Sequence, residues 1–264
     1  MEKNIVVFDS GYGGLSVLNT LSKILPNEQF IYYCDTKNVP YGEKKQEEIL
    51  KLTENALLKI GICNIKAFVI GCNTATSAAA DYLRNKYKVP IVGIEPAIKP
   101  AATKTKGKIV VLATNFTLKE KKFNLLVNNL RIEDRIIKVP APELVEYVES
   151  GEWNKKVIRN LLDNYFKGID FNEVGSIVLG CTHYVFLKED IRAYVNGKIS
   201  IYDGNIGLAD HVKNDILLNN RNLNNKLREI KFISTDNSLK VYNKAKKIFG
   251  TINTNILVRG GYYD

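Results

Sequence analysis

The chain is short of the residues on which several functional classes depend. It holds four cysteines, two histidines, one tryptophan and one methionine in 264 residues. Cys34, Cys63, Cys72 and Cys181 form no Cys-x-x-Cys pair and are too sparse for a disulfide framework, so free thiols in a reducing compartment are expected. No apolar run approaches the roughly 18 residues that a membrane helix needs, and no membrane partner is expected. Met-Glu-Lys-Asn leads at once into a strand pattern without signal-peptide architecture, which makes a cytoplasmic location the expectation. The net charge is +10, but the lysines and arginines are scattered among Asp, Glu and Asn rather than striped. Nucleic acid is therefore not expected as the main partner, although a basic field helps attract an anionic metabolite.

Short apolar strands alternate with amphipathic helical stretches along the whole chain. Strand patterns cover Asn4–Phe8, Gln29–Cys34, Ala67–Ile70, Ile91–Ile94, Lys108–Ala113, Arg135–Val139, Ser176–Leu179, Lys198–Tyr202 and Ile230–Ser234. Helical patterns include Glu43–Lys59, Ala75–Lys86, a helix starting at Glu95-Pro96, Trp153–Phe166, one holding Phe186, Leu187 and Ile191, and Leu239–Phe249. Asn219–Asn225 reads as a polar connector, and the tail from Asn253 as an additional edge strand. This alternation predicts an α/β protein with mainly parallel sheets flanked by helices. The units around Cys72 and Cys181 resemble each other, so two pseudo-symmetric lobes are expected with the active site in the cleft between them. Residues 1–96 plus 207–264 would form the first lobe and residues 97–206 the second, both termini closing one domain.

Two matching stretches organise the functional reading. Ala67-Phe68-Val69-Ile70-Gly71-Cys72-Asn73-Thr74 and Ser176-Ile177-Val178-Leu179-Gly180-Cys181-Thr182-His183 each run as a buried strand, break at Gly-Cys and then offer small polar side chains. Ligands of open α/β sheets bind at such carboxyl ends. The tip Asp9-Ser10-Gly11-Tyr12-Gly13-Gly14 invites a dinucleotide reading, but Ser16 stands where the third fingerprint glycine belongs and Asp9 would repel a pyrophosphate. The glycines instead allow close backbone approach to a ligand, and Asp9 either suits an ammonium group or caps the following helix. Thr74, Thr76 or Ser77 can cap the helix after Cys72, whose dipole favours a thiolate. Cys34 and Cys63 read as packing thiols, and His211 as a surface or core histidine.

Three readings of Cys72, Cys181 and His183 stand open: buried packing residues, a zinc set, or paired thiols for acid–base chemistry on opposite faces of one carbon. A thiol with its reference pKa near 8.5, lowered by a helix terminus or a cation, suits proton abstraction near pH 7.

Asp9-Ser10-Gly-x-Gly-Gly-Leu-Ser-Val, Pro40-Tyr41-Gly42, Cys72-Asn73-Thr74-Ala75 and Gly180-Cys181-Thr182-His183-Tyr184 resemble, in order and spacing, the signature blocks of the glutamate racemases. Tyr12 and Val185 depart from that pattern, standing where a small aliphatic residue and a proline are usual. The resemblance implies cofactor-independent interconversion of L- and D-glutamate for peptidoglycan synthesis, without metal. It implies Cys72 as the base toward D-glutamate and Cys181 toward L-glutamate, assisted by Asp9 and His183 respectively. Ser10, Tyr41, Gly42, Asn73, Thr74, Thr117 and Thr182 would hold the substrate together with Asp9 and His183, and Glu149 would stand near the site. A homodimer is the expected assembly. Aspartate racemase, which also pairs cysteines, and a non-catalytic amino-acid binding module are the alternatives.

Overall fold

The computed structural model describes residues 3–218, 229–236, 238–250 and 257–260; of Glu229 and residues 257–260 only the backbone is described. The first series of elements is β1 (Asn4–Asp9), α1 (Leu15–Ile24), β2 (Phe30–Cys34), α2 (Gln46–Ile60), β3 (Ile65–Ile70), α3 (Asn73–Lys86) and β4 (Ile91–Gly93). After α4 (Ile98–Lys104), the second series is β5 (Lys108–Ala113), α5 (Asn115–Lys119), α6 (Lys121–Leu130), β6 (Ile136–Pro140), α7 (Glu143–Ser150), α8 (Lys155–Tyr165), β7 (Val174–Gly180), α9 (Lys188–Tyr194) and β8 (Ser200–Asp203). Then follow α10 (Asn205–His211), β9 (Glu229–Ser234), α11 (Leu239–Gly250) and β10 (Leu257–Gly260).

Two all-parallel sheets result. One has six strands in the order β10-β9-β2-β1-β3-β4, the other four in the order β6-β5-β7-β8. The sequence explains why. Ile5-Val6-Val7-Phe8 is apolar at every position because a parallel strand is covered on both faces. Ile5 and Val7 join α1, α10 and α11 on one face, while Val6 and Phe8 join α2 and α3 on the other. In the second sheet Val110 and Leu112 pack with α7, α8 and α9, and Ile109 and Val111 with α4 and α6.

The strand order fixes where a ligand can sit. Chain connections leave β1 toward β2 on one side and β3 on the other, and leave β5 toward β6 and β7 in the same way. Each sheet therefore has a crevice at the carboxyl ends of its central strands. Pairing of Phe8 with Ile70 brings Asp9-Ser10 level with Gly71-Cys72, and pairing of Ala113 with Gly180 brings Thr114 level with Cys181.

Some element bounds differ from the sequence reading. The helix expected from Glu43 begins at Gln46, because Tyr41–Glu43 form a separate 3-10 turn. The helix expected from Glu95-Pro96 begins at Ile98, since the ring of Pro96 disfavours helical backbone at Glu95. Phe186 and Leu187 end a 3-10 turn, Thr182–Leu187, ahead of α9 rather than lying inside it. The connector Asn219–Asn225 lies outside the described residues, as does the start of the tail, whose Leu257–Gly260 portion forms the edge strand β10. Cys34 is buried, but Cys63 is exposed and so is not a packing thiol.

Candidate active site

A cleft between the two sheets, open to solvent at its mouth, holds about 490 Å³ of space. Cys72 and Cys181 both line it, with Ser10, Tyr41, Gly42, Thr74 and His183 from the expected site residues. Asp9, Asn73, Thr117, Thr182 and Glu149 do not line it. Of these, Asp9, Thr117, Thr182 and Glu149 are bonded to the residues that do or to one another, forming a layer behind the wall. Among the described residues, Pro40, Glu43, Thr114, Asn115, Pro142, Val145 and Glu146 also line it. Thr114 could have been inferred, since it caps α5 at the tip of β5 just as Cys72 caps α3 at the tip of β3. Nothing in the sequence pattern marks Val145 or Glu146.

Around Cys72 the local fold makes the thiol part of a helix start. Its Sγ is the N-cap of α3, accepting from the Ala75 N–H at 3.4 Å, so the cap is the cysteine and not Thr74, Thr76 or Ser77. Ser10 Oγ lies 3.6 Å from Cys72 Sγ and 3.4 Å from Asp9 Oδ1, so its one hydrogen can serve either. The α3 terminus does not, however, bring this thiol toward neutrality. Burial, with the nearby Asp9 charge, pushes Cys72 up to about 12, although the Ala75 amide and the Ser10 hydroxyl pull the other way.

Asp9 is wholly buried and is not the cap of α1, which begins after Gly14 with no side-chain cap. Its Oδ1 accepts from the Gly11 N–H at 2.9 Å and its Oδ2 from Thr182 Oγ1 at 3.0 Å, the latter from the opposite sheet. Burial raises its pKa to about 6; the nearby His183 charge and these two hydrogen bonds limit the rise.

On the other side, Cys181 Sγ stands 3.5 Å from His183 Nδ1, and His183 Nε2 stands 2.7 Å from Glu149 Oε1. The Tyr12 N–H donates to the same Oε1 at 2.6 Å. Burial disfavours charge on His183, but the hydrogen bonds to Cys181 and Glu149 and their charges outweigh it, so its pKa lies well above the ordinary value. A ring that donates at both nitrogens, oriented by a carboxylate, is thus aimed at the second sulfur. The two thiols have unlike neighbours, a carboxyl–hydroxyl pair on one side and an imidazole–carboxylate pair on the other. Thr182 links the two sets.

The glycine run serves this assembly rather than a ligand. A Cβ at Gly13 would lie 2.5 Å from Thr182 Oγ1 and 2.6 Å from His183 Nδ1, and one at Gly11 would lie 2.1 Å from Glu149 Oε1. Bare backbone lets the β1–α1 loop press against the second sheet's site residues. Its Gly11 and Tyr12 amides go to Asp9 and Glu149, so they are not free for a phosphate. The unusual Tyr12 is buried, with its hydroxyl 3.4 Å from the Val241 carbonyl of α11.

The other expected residues occupy supporting places. Tyr41 lines the cleft, but its Oη donates to Asp35 Oδ2 at 2.6 Å, so its hydroxyl proton is committed to Asp35. The Thr74 and Thr114 hydroxyls meet at 3.0 Å across the two sheets, and Thr114 Oγ1 lies 3.1 Å from Thr117 Oγ1. Asn73 is buried in the first turn of α3. His211 sits at the surface, 2.6 Å from Asp215. Among the described residues no cluster of three or more His, Cys, Asp or Glu is placed to hold a metal ion, and no helix is long and apolar enough to cross a membrane.

Comparison with known proteins gives this geometry a context. The Asp/Glu/hydantoin racemase family profile matches residues 10–212. The chain is 47% identical over 249 residues to a glutamate racemase of Clostridium novyi, covering 93% of this chain and 96% of that one. A glutamate racemase of Clostridium botulinum is 42% identical over 251 residues, covering 94% and 97%. Among solved structures, Escherichia coli glutamate racemase in complex with L-glutamate and the activator UDP-MurNAc-ala superposes with a TM-score of 0.82 at 26% identity over 98% of both chains. The Francisella tularensis glutamate racemase in complex with D-glutamate gives 0.81 at 25% identity, over 100% of this chain and 98% of that one. The matches span nearly the whole chain, both sheets and the cleft between them: the chain belongs to the Asp/Glu/hydantoin racemase family, within its glutamate racemase group.

Proposed function

We propose that this chain interconverts L- and D-glutamate by proton transfer at Cα between two thiols. The observation that carries the reading is the presence of Cys72 and Cys181 on the lining of one cleft, each with its own polar partners. In one direction the Cys181 thiolate takes the α-proton of L-glutamate while the Cys72 thiol delivers its proton to the opposite face. In the other direction the roles exchange. Each turnover swaps which sulfur carries the proton, so no external acid, base or oxidant is consumed. Asp9, through Ser10, assists at Cys72; His183, oriented by Glu149, donates to Cys181 when that sulfur carries charge.

The raised Cys72 pKa fits this reading once substrate is considered. Among the described residues, neither lysine nor arginine lines the cleft. His183 stands beside Cys181, so on the Cys72 side the ammonium group of an entering amino acid supplies positive charge, and a cation beside a buried thiol favours its thiolate. Hydroxyls and amides of Ser10, Thr74, Thr114 and Asn115 are donors for carboxylates, and closure of the cleft would exclude water that otherwise weakens these dipoles. On the same reading, residues 1–96 with 207–264 and residues 97–206 are the two closing lobes. No cofactor takes part. The product feeds peptidoglycan synthesis in the cytoplasm, and the working unit is a homodimer; the activator UDP-MurNAc-ala bound to the Escherichia coli relative supports the pathway.

Circular dichroism with L-glutamate, D-glutamate, L-aspartate and D-aspartate, each offered alone to the metal-free protein, tests the proposal. Both glutamate enantiomers should decay to the same racemic end point, with aspartate turned over at least tenfold more slowly. Preferred turnover of aspartate, or glutamate binding without loss of optical activity, would replace the reading with one of its alternatives.

A further inference from the structure

Asp35 is a buried carboxyl group that the chemistry above does not use. It follows the last residue of β2 and is 2% exposed. Its N–H donates to the Asp9 carbonyl at 3.0 Å, which ties it to the strand tip carrying Asp9. Its Oδ1 and Oδ2 accept from Asn38 Nδ2 at 2.9 and 3.1 Å, and Oδ2 also accepts from Tyr41 Oη at 2.6 Å. Among the described residues no Lys, Arg or His forms an ion pair with it. A carboxylate taken from water without a cation is costly, and hydrogen bonds from neutral donors offset only part of that cost. Packing alone would be served better by an apolar side chain. The group is intelligible if it orients something.

What it orients is one wall of the cleft. The Asn38 N–H donates to the Asp35 carbonyl at 3.0 Å, closing a turn that leads into Val39-Pro40-Tyr41-Gly42. Pro40, Tyr41 and Gly42 all line the cleft. The Tyr41 ring packs 6.3 Å from that of Phe8, and its hydroxyl proton is committed to Asp35. Burial and the Asp35 charge raise the phenol far beyond its ordinary value, so Tyr41 stays a neutral donor and takes no part as a base. Gly42 in turn lies close against the second sheet, where an added Cβ would come within 3.0 Å of Thr114 Cβ. Asp35 therefore holds, through two side chains, the segment that meets Thr114 across the cleft.

We propose that Asp35 is a positioning residue for amino-acid binding: through Tyr41 Oη and Asn38 Nδ2 it sets the Pro40–Gly42 wall, and so governs affinity for the substrate rather than the rate of proton transfer. This rests on the glutamate-interconverting reading of the cleft. A residue that only stabilises the fold would change the melting temperature and the amount of active protein. A residue that positions the binding wall changes KM, and does so through Tyr41.

The test is a double-mutant cycle of Asp35→Asn and Tyr41→Phe in the full chain, read by steady-state kinetics in both directions and by thermal unfolding. Each single variant should raise KM for both enantiomers roughly tenfold while kcat changes less than threefold. The double variant should be no worse than the poorer single one, because both substitutions weaken the same charged Asp35–Tyr41 contact. An unchanged KM in folded Asp35→Asn, a fall confined to kcat, or multiplicative effects in the double variant would each overturn the proposal. If Asp35→Asn does not fold, Tyr41→Phe decides alone, since it keeps the ring: an unchanged KM refutes the positioning role. A wild-type protein that leaves glutamate optically unchanged refutes the functional reading itself, which is a separate outcome from an active wild type with variants of normal KM.

Discussion

Replacing Asp9 by asparagine should separate stability from activity in one residue. Burial raises the Asp9 pKa from 3.8 to about 6, so the folded protein holds this proton more tightly than the unfolded chain does. The stabilisation from that proton is complete below the unfolded value and is lost as pH rises through about 6. At pH 7.5 the ionised, buried carboxylate leaves a penalty of about 2 units at about 1.4 kcal/mol each, on the order of 3 kcal/mol. Asparagine has nothing to ionise. Its Oδ1 can keep the bond from the Gly11 N–H, and its Nδ2 can donate to Thr182 Oγ1, which now accepts. Urea unfolding of the two proteins at pH 4, 6 and 7.5 reads the contribution of Asp9 and its electrostatic partners, because titrating groups not coupled to Asp9 cancel in the difference. The variant's stability advantage should be small at pH 4 and grow to about 3 kcal/mol by pH 7.5, while kcat falls at least tenfold. A difference that is flat with pH, or a variant less stable than wild type at pH 7.5, would refute the account of Asp9 as a buried, strained carboxylate.

Other outcomes follow from the same geometry. Glu149→Gln keeps the size of the side chain but removes the negative charge 2.7 Å from His183 Nε2, so the raised His183 pKa should drop toward its ordinary value. The alkaline limb of the kcat–pH profile should then move to lower pH; a limb that stays in place means His183 is not the titrating group. Gly13→Ala forces a Cβ to within 2.5 Å of Thr182 Oγ1 and should cost about 1–3 kcal/mol of stability along with most activity. Gly207→Ala, in α10 and with no described atom within 4 Å of the added Cβ, is the control: it should leave the rate unchanged and raise stability by about 0.5–1 kcal/mol in the same assays.

Much of this was legible because of how parallel sheets bury themselves. Runs such as Ile5–Phe8 and Ile109–Leu112 are apolar at every position since both faces are covered, and their ends therefore show sharply against polar residues. That contrast is what singles out Cys72 and Cys181. The cleft's other wall was hidden because it is made by packing two sheets together, which leaves no local pattern at Val145, Glu146 or Pro142. The glycine run was legible as a place of close approach, but not as to what approaches it: Thr182, His183 and Glu149 come from segments more than 130 residues away, as the 137-residue separation of Tyr12 and Glu149 shows. The helix terminus alone points to a lowered Cys72 pKa, whereas the burial that raises it is a property of the assembled cleft and leaves no mark in the local sequence.

The central claim, one sulfur on each face of a single carbon, is tested most directly by isotope exchange in the single-thiol variants. In D₂O, Cys72→Ala retains only the base that faces the L-enantiomer, and Cys181→Ala only the one that faces the D-enantiomer. Each variant should lose racemisation by about 10²- to 10⁴-fold. Cys72→Ala should nonetheless bring deuterium into the α-position of L-glutamate and not of D-glutamate, with the mirror result for Cys181→Ala. Near-normal racemisation in either variant, or exchange of both enantiomers by one of them, would contradict the assignment.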